Sequence, residues 1–136
     1  MSSFLSELAD YIHREGIGTS SGASVNIFVG KYPDEPDNCI ALLGLLPQKV
    51  PNIYVSDFEY PRFQVIVRNT AYVTAEAKIR QVRELLHDKL TIVTENFICK
   101  YIQADSDIVP LGEDDKGRAE FSINFSTQIL NEDSGS

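Results

Sequence analysis

Basic charge is scarce in this chain: 12 lysines and arginines stand against 20 aspartates and glutamates, for a net charge of −8. A protein that grips nucleic acid or an anionic membrane through its overall field carries the opposite sign, so that class is excluded. An acidic surface still suits a protein past which DNA slides. Cysteine is scarcer still. Cys39 and Cys99 are the only two, far apart and in no C-x-x-C pair. That rules out a disulfide framework and leaves free buried thiols as the expectation, with an interstrand disulfide as the alternative. His13 and His87 are the only histidines. No histidine and cysteine cluster exists from which zinc could draw ligands. Long apolar runs are missing too. The longest near the middle, Ile40 to Leu46, is far short of the ~20 residues a membrane helix requires. Met1 to Phe4 carry no basic segment and no long apolar stretch follows, so no export signal is expected.

What is present suits one globular domain. The chain has 136 residues, 43% apolar and 24% charged, which excludes wholesale disorder. Ser3 can cap a helix in which Phe4, Leu8 and Ile12 recur every fourth residue, and Gly16 can end it. Residues 25–29, 39–46, 62–68, 96–104 and 119–130 read as strands, and Phe121, Ile123, Phe125 and Ile129 alternate with polar neighbours in the last. Residues 53–55 can add a short strand. A second helix is expected over Thr74 to Lys89, capped by Thr74, with Ala75, Ile79, Val82, Leu86 and Leu90 as its apolar stripe. Residues 47–61 and 105–118 read as long connections, the first rich in proline and the second in acid. The expected fold is α+β. It is a single domain over residues 1–131, with a flexible tail over 132–136. A mixed or mostly antiparallel sheet of about 4–5 strands packs with two main helices. The unit from Arg62 to Ala104 is expected to form a parallel crossover.

Candidate chemistry is thin. Gly18-Thr19-Ser20-Ser21-Gly22 spells G-x-S-x-G, but it follows a helix and precedes a strand, the reverse of the nucleophile turn. Glu84-x-x-His87 and Asp10-x-x-His13 do not assemble a di-iron set. Asp105-x-Asp107 opens like a calcium loop and fails at its third position, Val109. No catalytic constellation, cofactor or metal site is expected. Long connections on a small core usually carry function or contacts.

Three stretches, taken in order, are more specific. P-D-E-P-D-N-C-I-A-L at 33–42, E-Y-P-R-F-Q-V-I-V-R-N at 59–69 and A-Y-V-T-A-E-A-K-I at 71–79 resemble the minor capsid or tail terminator (tail-completion) proteins of long-tailed phages. That family typically shows P-x-x-P-D-N-x-x-A-L, a strand of the P-x-x-Q-V-x-V-R type, then a tyrosine and an alanine-rich helix. The likeness covers about residues 1–104. It departs where the family often has D-T-G-G and this chain has L-G-L-L-P at 43–47. The resemblance implies a non-enzymatic virion protein of the tail and neck, assembled in the host cytoplasm. It implies a ring, commonly a hexamer, that ends tail-tube polymerisation and joins the tail to the head connector, with DNA passing through unbound. Its partners are then further copies of itself, the tail tube protein and the connector or head-completion protein. On that reading Pro47, Tyr54 and Leu111 are candidate apolar anchors of a contact between subunits or partners. Asp34, Glu35, Asp37, Glu113, Asp114 and Asp115 are candidates for an acidic lumen that repels the DNA backbone. The alternatives are a head-completion or neck protein, a small ligand- or protein-binding module, and an esterase built on Ser20.

Overall fold

A computed structural model describes residues 3–22, 24–45 and 58–131. The chain opens with helix α1 (Phe4–Arg14). The Ser3 hydroxyl accepts the Ser6 N–H at 3.2 Å, so the expected cap is in place. Strands β1 (Ile27–Val29), β2 (Cys39–Leu45), β3 (Phe58–Glu59) and β4 (Arg62–Asn69) follow, then helix α2 (Tyr72–Leu86). Strands β5 (Lys89–Val93), β6 (Phe97–Ala104), β7 (Val109–Glu113) and β8 (Ala119–Asn131) complete the order. No helix among the described residues is long and apolar enough to cross a membrane.

The strands form one mixed sheet in the order β1-β2-β4-β8-β6-β5, with β3 and β7 also paired to β8. β1 runs parallel to β2, and every other described pair is antiparallel. The α+β class is as expected. The sheet has eight strands, more than the roughly four to five that strand patterns suggest. The additions are the short β3, β5 and β7. β3 lies inside the proline-bounded connection. β7 lies inside the acidic one, where Pro110 and Gly112 read as loop; an edge strand, paired on one side only, tolerates both.

The second helix also differs from expectation. It starts at Tyr72, not Thr74, and no side chain caps its Ala71 N-cap residue; the Asn69 carboxamide accepts the Ala71 N–H at 2.9 Å instead. It ends at Leu86, and Asp88 adopts a φ of 59°, a left-handed corner that sends the chain back as β5. Leu90 therefore sits on a strand, outside the helical stripe that its spacing suggests. β4 and β6 are parallel to each other, as the crossover reading requires, but β8 lies between them, so the sheet's parallel ladder is β1–β2.

Both helices cover one face of this sheet. Leu8 and Ile12 from α1 and Ile79, Val82 and Leu86 from α2 join Phe63, Val65, Val67, Phe121, Ile123 and Phe125 in a single core. Alternation along β8 turns Phe121, Ile123, Phe125 and Ile129 inward. Phe63 and Phe125 stack with ring centroids 5.3 Å apart. Two polar ties hold α1 and the turn after it down. The Glu7 carboxylate accepts the Asn96 backbone and side-chain N–H groups at 2.9 and 2.7 Å. Lys78 of α2 donates to the Ile17 carbonyl at 2.8 Å.

Candidate functional site

The P-D-E-P-D-N segment is strapped across the end of the sheet by two arginines that are each 3% exposed. Alternation that turns Val67 and Phe121 toward the helices turns Arg68 and Glu120 to the opposite face. There the Arg68 guanidinium donates to the carbonyls of Asp37 at 3.0 Å, Pro36 at 2.6 Å and Asp34 at 3.3 Å. It also lies 4.8 Å from the centre of the Tyr32 ring, and the Tyr32 hydroxyl donates to Glu120. Arg118, just before β8, completes the strap. It donates to the Asp34 carbonyl at 2.7 Å and to the carboxylates of Asp34, Asp37 and Asp114 at 2.8, 3.2 and 2.7 Å. Lys116 reaches Asp34 at 2.5 Å. At the far end the Asn38 carboxamide accepts the Thr70 N–H at 3.1 Å.

The electrostatics follow from these contacts. Hydrogen bonds from Lys116 and Arg118 hold the Asp34 carboxyl down at about 2. Burial raises the Asp114 carboxyl, but hydrogen bonds from Arg118 and Lys116 outweigh it and leave it below its ordinary value. Burial and the Glu120 carboxylate push the Tyr32 hydroxyl up, so it stays a donor. Cys39 and Cys99 are free and buried, and burial pushes the Cys99 thiol up to about 12. Both are packing groups and neither is a nucleophile.

The expected acidic lining is thus split. Asp34 and Asp37, both exposed, and the half-buried Asp114 pair with Arg118, and Asp34 also with Lys116. Glu35 is 3.8 Å from Lys116. Glu113 and Asp115 are exposed and make no ion pair among the described residues. Leu111 is exposed on β7. Pro47 and Tyr54 lie outside the described residues, as does the short strand expected at 53–55. Arg68 and Arg118 did not emerge from motif reading. The signal was there: an arginine in a strand as apolar as R-F-Q-V-I-V-R must find partners when the strand is buried, and the acidic segments offered them.

The G-x-S-x-G segment is a latch. The Ser20 hydroxyl donates to Asp10 at 2.7 Å, and the Ser20 backbone N–H donates to His13 Nδ1 at 3.1 Å. The same nitrogen lies 3.2 Å from Ser20 Oγ, but its lone pair accepts the backbone N–H. Asp10 accepts the serine hydroxyl's hydrogen bond directly, and among the described residues no carboxylate orients the imidazole. A nucleophile needs the reverse, with the histidine between acid and serine. The arrangement fastens the loop after α1.

Among the described residues, large apolar side chains stay exposed in three places. Tyr72 (56%) and Val73 (75%) start α2, and Val109 (43%) and Leu111 (47%) lie on β7. The Tyr72 ring packs 5.1 Å from Phe121 on the helix side of the sheet, whereas Val109 pairs with Ser122, whose side chain points to the opposite face. Leu90 (74%) and Val93 (59%) form the third, on the edge strand β5. Thr91 between them has a φ of 58° and no bridge partner, which breaks the alternation, and Leu90 and Val93 are exposed while Ile92 is buried. Such a backbone at a β-branched residue costs about 1–3 kcal/mol.

No curated protein matches the chain. The family model described as bacteriophage tail terminator protein matches residues 11–131, so the chain belongs to that family of structural proteins and is a component of a phage tail in the virion.

Proposed function

We propose that copies of this chain close a ring at the head-proximal end of the tail tube. The ring ends tube polymerisation and joins the tail to the head connector. Family membership across residues 11–131 carries this reading. Two properties of the molecule suit it. Among the described residues it leaves large apolar side chains exposed at the start of α2 and on the edge strands β5 and β7, as an assembling unit requires. A contact between unlike surfaces that closes on itself gives a ring. The net charge of −8 lets a DNA backbone pass without being held.

The test is a phage in which this chain is removed, examined by electron microscopy, with purified chain then added back to the tubes. The expected result is tubes of uncontrolled length that do not join heads, and added protein at one end of each tube. Tubes of normal length in its absence, or protein scattered along their walls, would sink the reading.

A further inference from the structure

We propose that the β7 edge docks on the end of the tail tube, against a surface that sets lysines or arginines around an apolar centre. This rests on the ring reading above and names the face and the chemistry of one of its contacts.

All five residues of β7 are exposed. Leu111 is the extra residue where the pairing with β8 shifts, and Val109 stands opposite Ser122 on the face without helices. β7 pairs with β8 alone, so its outer edge has no strand partner among the described residues. That edge does not suit a further strand. Pro110 has no N–H to give, and the shift at Leu111 breaks the ladder. What it offers a partner is side chains. Val109 and Leu111 lie at the centre. Asp107, Glu113 and Asp115 stand around them, exposed and without an ion pair among the described residues. An apolar centre with a charged rim is the anatomy of a contact between proteins. A wall past which DNA slides gains nothing from an exposed valine and leucine.

Charge then selects the occupant. Residues 31–38 and 106–120, with Arg68, hold eight acids and four bases, which sets half of the chain's net −8 at this end of the sheet. The cations nearest β7 are engaged: Lys116 by Asp34, and Arg118 by Asp34, Asp37 and Asp114. Such a field repels a polyanion and draws a partner of opposite sign. A second copy does not present that sign at its own exposed apolar places. Around β5, four exposed acids, Asp10, Glu15, Asp88 and Glu95, exceed the three exposed bases. On α2, Glu76 and Arg80 answer each other at 4.0 Å. The occupant is therefore a different protein. The chain is a component of the tail, which makes the tube end the partner at hand.

The experiment uses three variants of the whole chain: Glu113→Gln with Asp115→Asn, Leu111→Ser, and, as a control of equal charge change, Glu15→Gln with Glu95→Gln. Each is titrated onto purified tail tubes at low and high salt. Electron microscopy counts the capped ends, and urea unfolding checks that each variant folds. Wild type is expected to need at least about tenfold more protein to cap tubes at high salt than at low, because salt screens the rim. The acid variant should need about tenfold more at low salt already, and should respond little to salt. Leu111→Ser should weaken capping at both salts, and the control should match wild type. Wild-type capping indifferent to salt overturns the proposal, whatever the variants do. So does an acid variant that caps like wild type, or a control that loses as much. An acid variant that caps tubes but no longer joins heads overturns it in favour of the connector. One that changes only DNA retention overturns it in favour of the lumen. Wild-type chain that never caps tubes overturns the ring reading itself, a result distinct from all of these.

Discussion

On one face of the sheet, two helices set Leu8, Ile12, Ile79, Val82 and Leu86 against phenylalanines and valines. On the other, the segment from Tyr32 to Asn38 is held by two arginines, three backbone carbonyls and a tyrosine hydroxyl. The first closure is non-directional and scales with the apolar area removed from water. The second is directional. Each guanidinium must find its acceptors or remain buried without them. The helix face should therefore tolerate changes of sequence that keep volume. The strap should tolerate almost none at Arg68 or Arg118.

The most damaging change should fall on the helix side. Phe125 is fully buried and stacked on Phe63. Phe125→Ala is expected to cost about 3–5 kcal/mol, from lost burial and the cavity left behind. Urea unfolding followed at several pH values checks it: the loss should be the same at each, because no titrating group is involved.

Arg68→Met is expected to cost less, roughly 2–3 kcal/mol, because the carbonyls of Asp34, Pro36 and Asp37 lose a donor while water can still reach part of the loop. Its signature is local. Hydrogen exchange should rise over residues 31–38 and stay unchanged in α1 and α2. A rise spread evenly over the chain would mean that the two closures are one cooperative unit, and the contrast between the faces would fail.

Acid should separate the faces further. The Asp34 carboxyl sits at about 2 in the fold against an ordinary 3.8. A carboxyl whose folded pKa is depressed contributes stability above its unfolded pKa. That contribution disappears as pH falls through the folded value. Wild type should therefore lead Asp34→Asn in stability at neutral pH, and the gap should narrow between pH 3.8 and about 2. A gap that stays constant down to pH 2 would show that Lys116 and Arg118 are not what lowers the Asp34 carboxyl.

The same contrast explains what could be read from the sequence. The helix face was legible because burial there follows a period: Phe4, Leu8 and Ile12 on α1, Phe121, Ile123 and Phe125 on β8. Strands β5 and β7 were not. Leu90 falls on the helical period of α2 by coincidence, and only the left-handed Asp88 shows that the helix has ended. Pro110 and Gly112 in β7 look like loop residues because propensity does not know that the strand pairs on one side only. The strap was legible in its motif and its acids but not in its purpose. Asp34 and Asp37 are held by arginines 31 to 84 residues away in sequence. Such distances carry no periodic signal.

Helix starts offer the smallest effect and a direct check on that reasoning. Sequence spacing marks Ser3 and Thr74 equally as caps, and the structure uses only the first. The Ser3 hydroxyl accepts a backbone N–H of α1, so Ser3→Ala should cost about 1 kcal/mol. Thr74 stands inside α2, exposed, with no capping bond. Alanine is the better helix former there, so Thr74→Ala should leave stability unchanged or raise it by up to about 0.5 kcal/mol. Paired urea titrations decide it. Equal losses at both positions would mean that Thr74 caps after all and that α2 begins later than Tyr72. The exposed surface formed by Tyr72 and Val73 would then lose the helix that presents it.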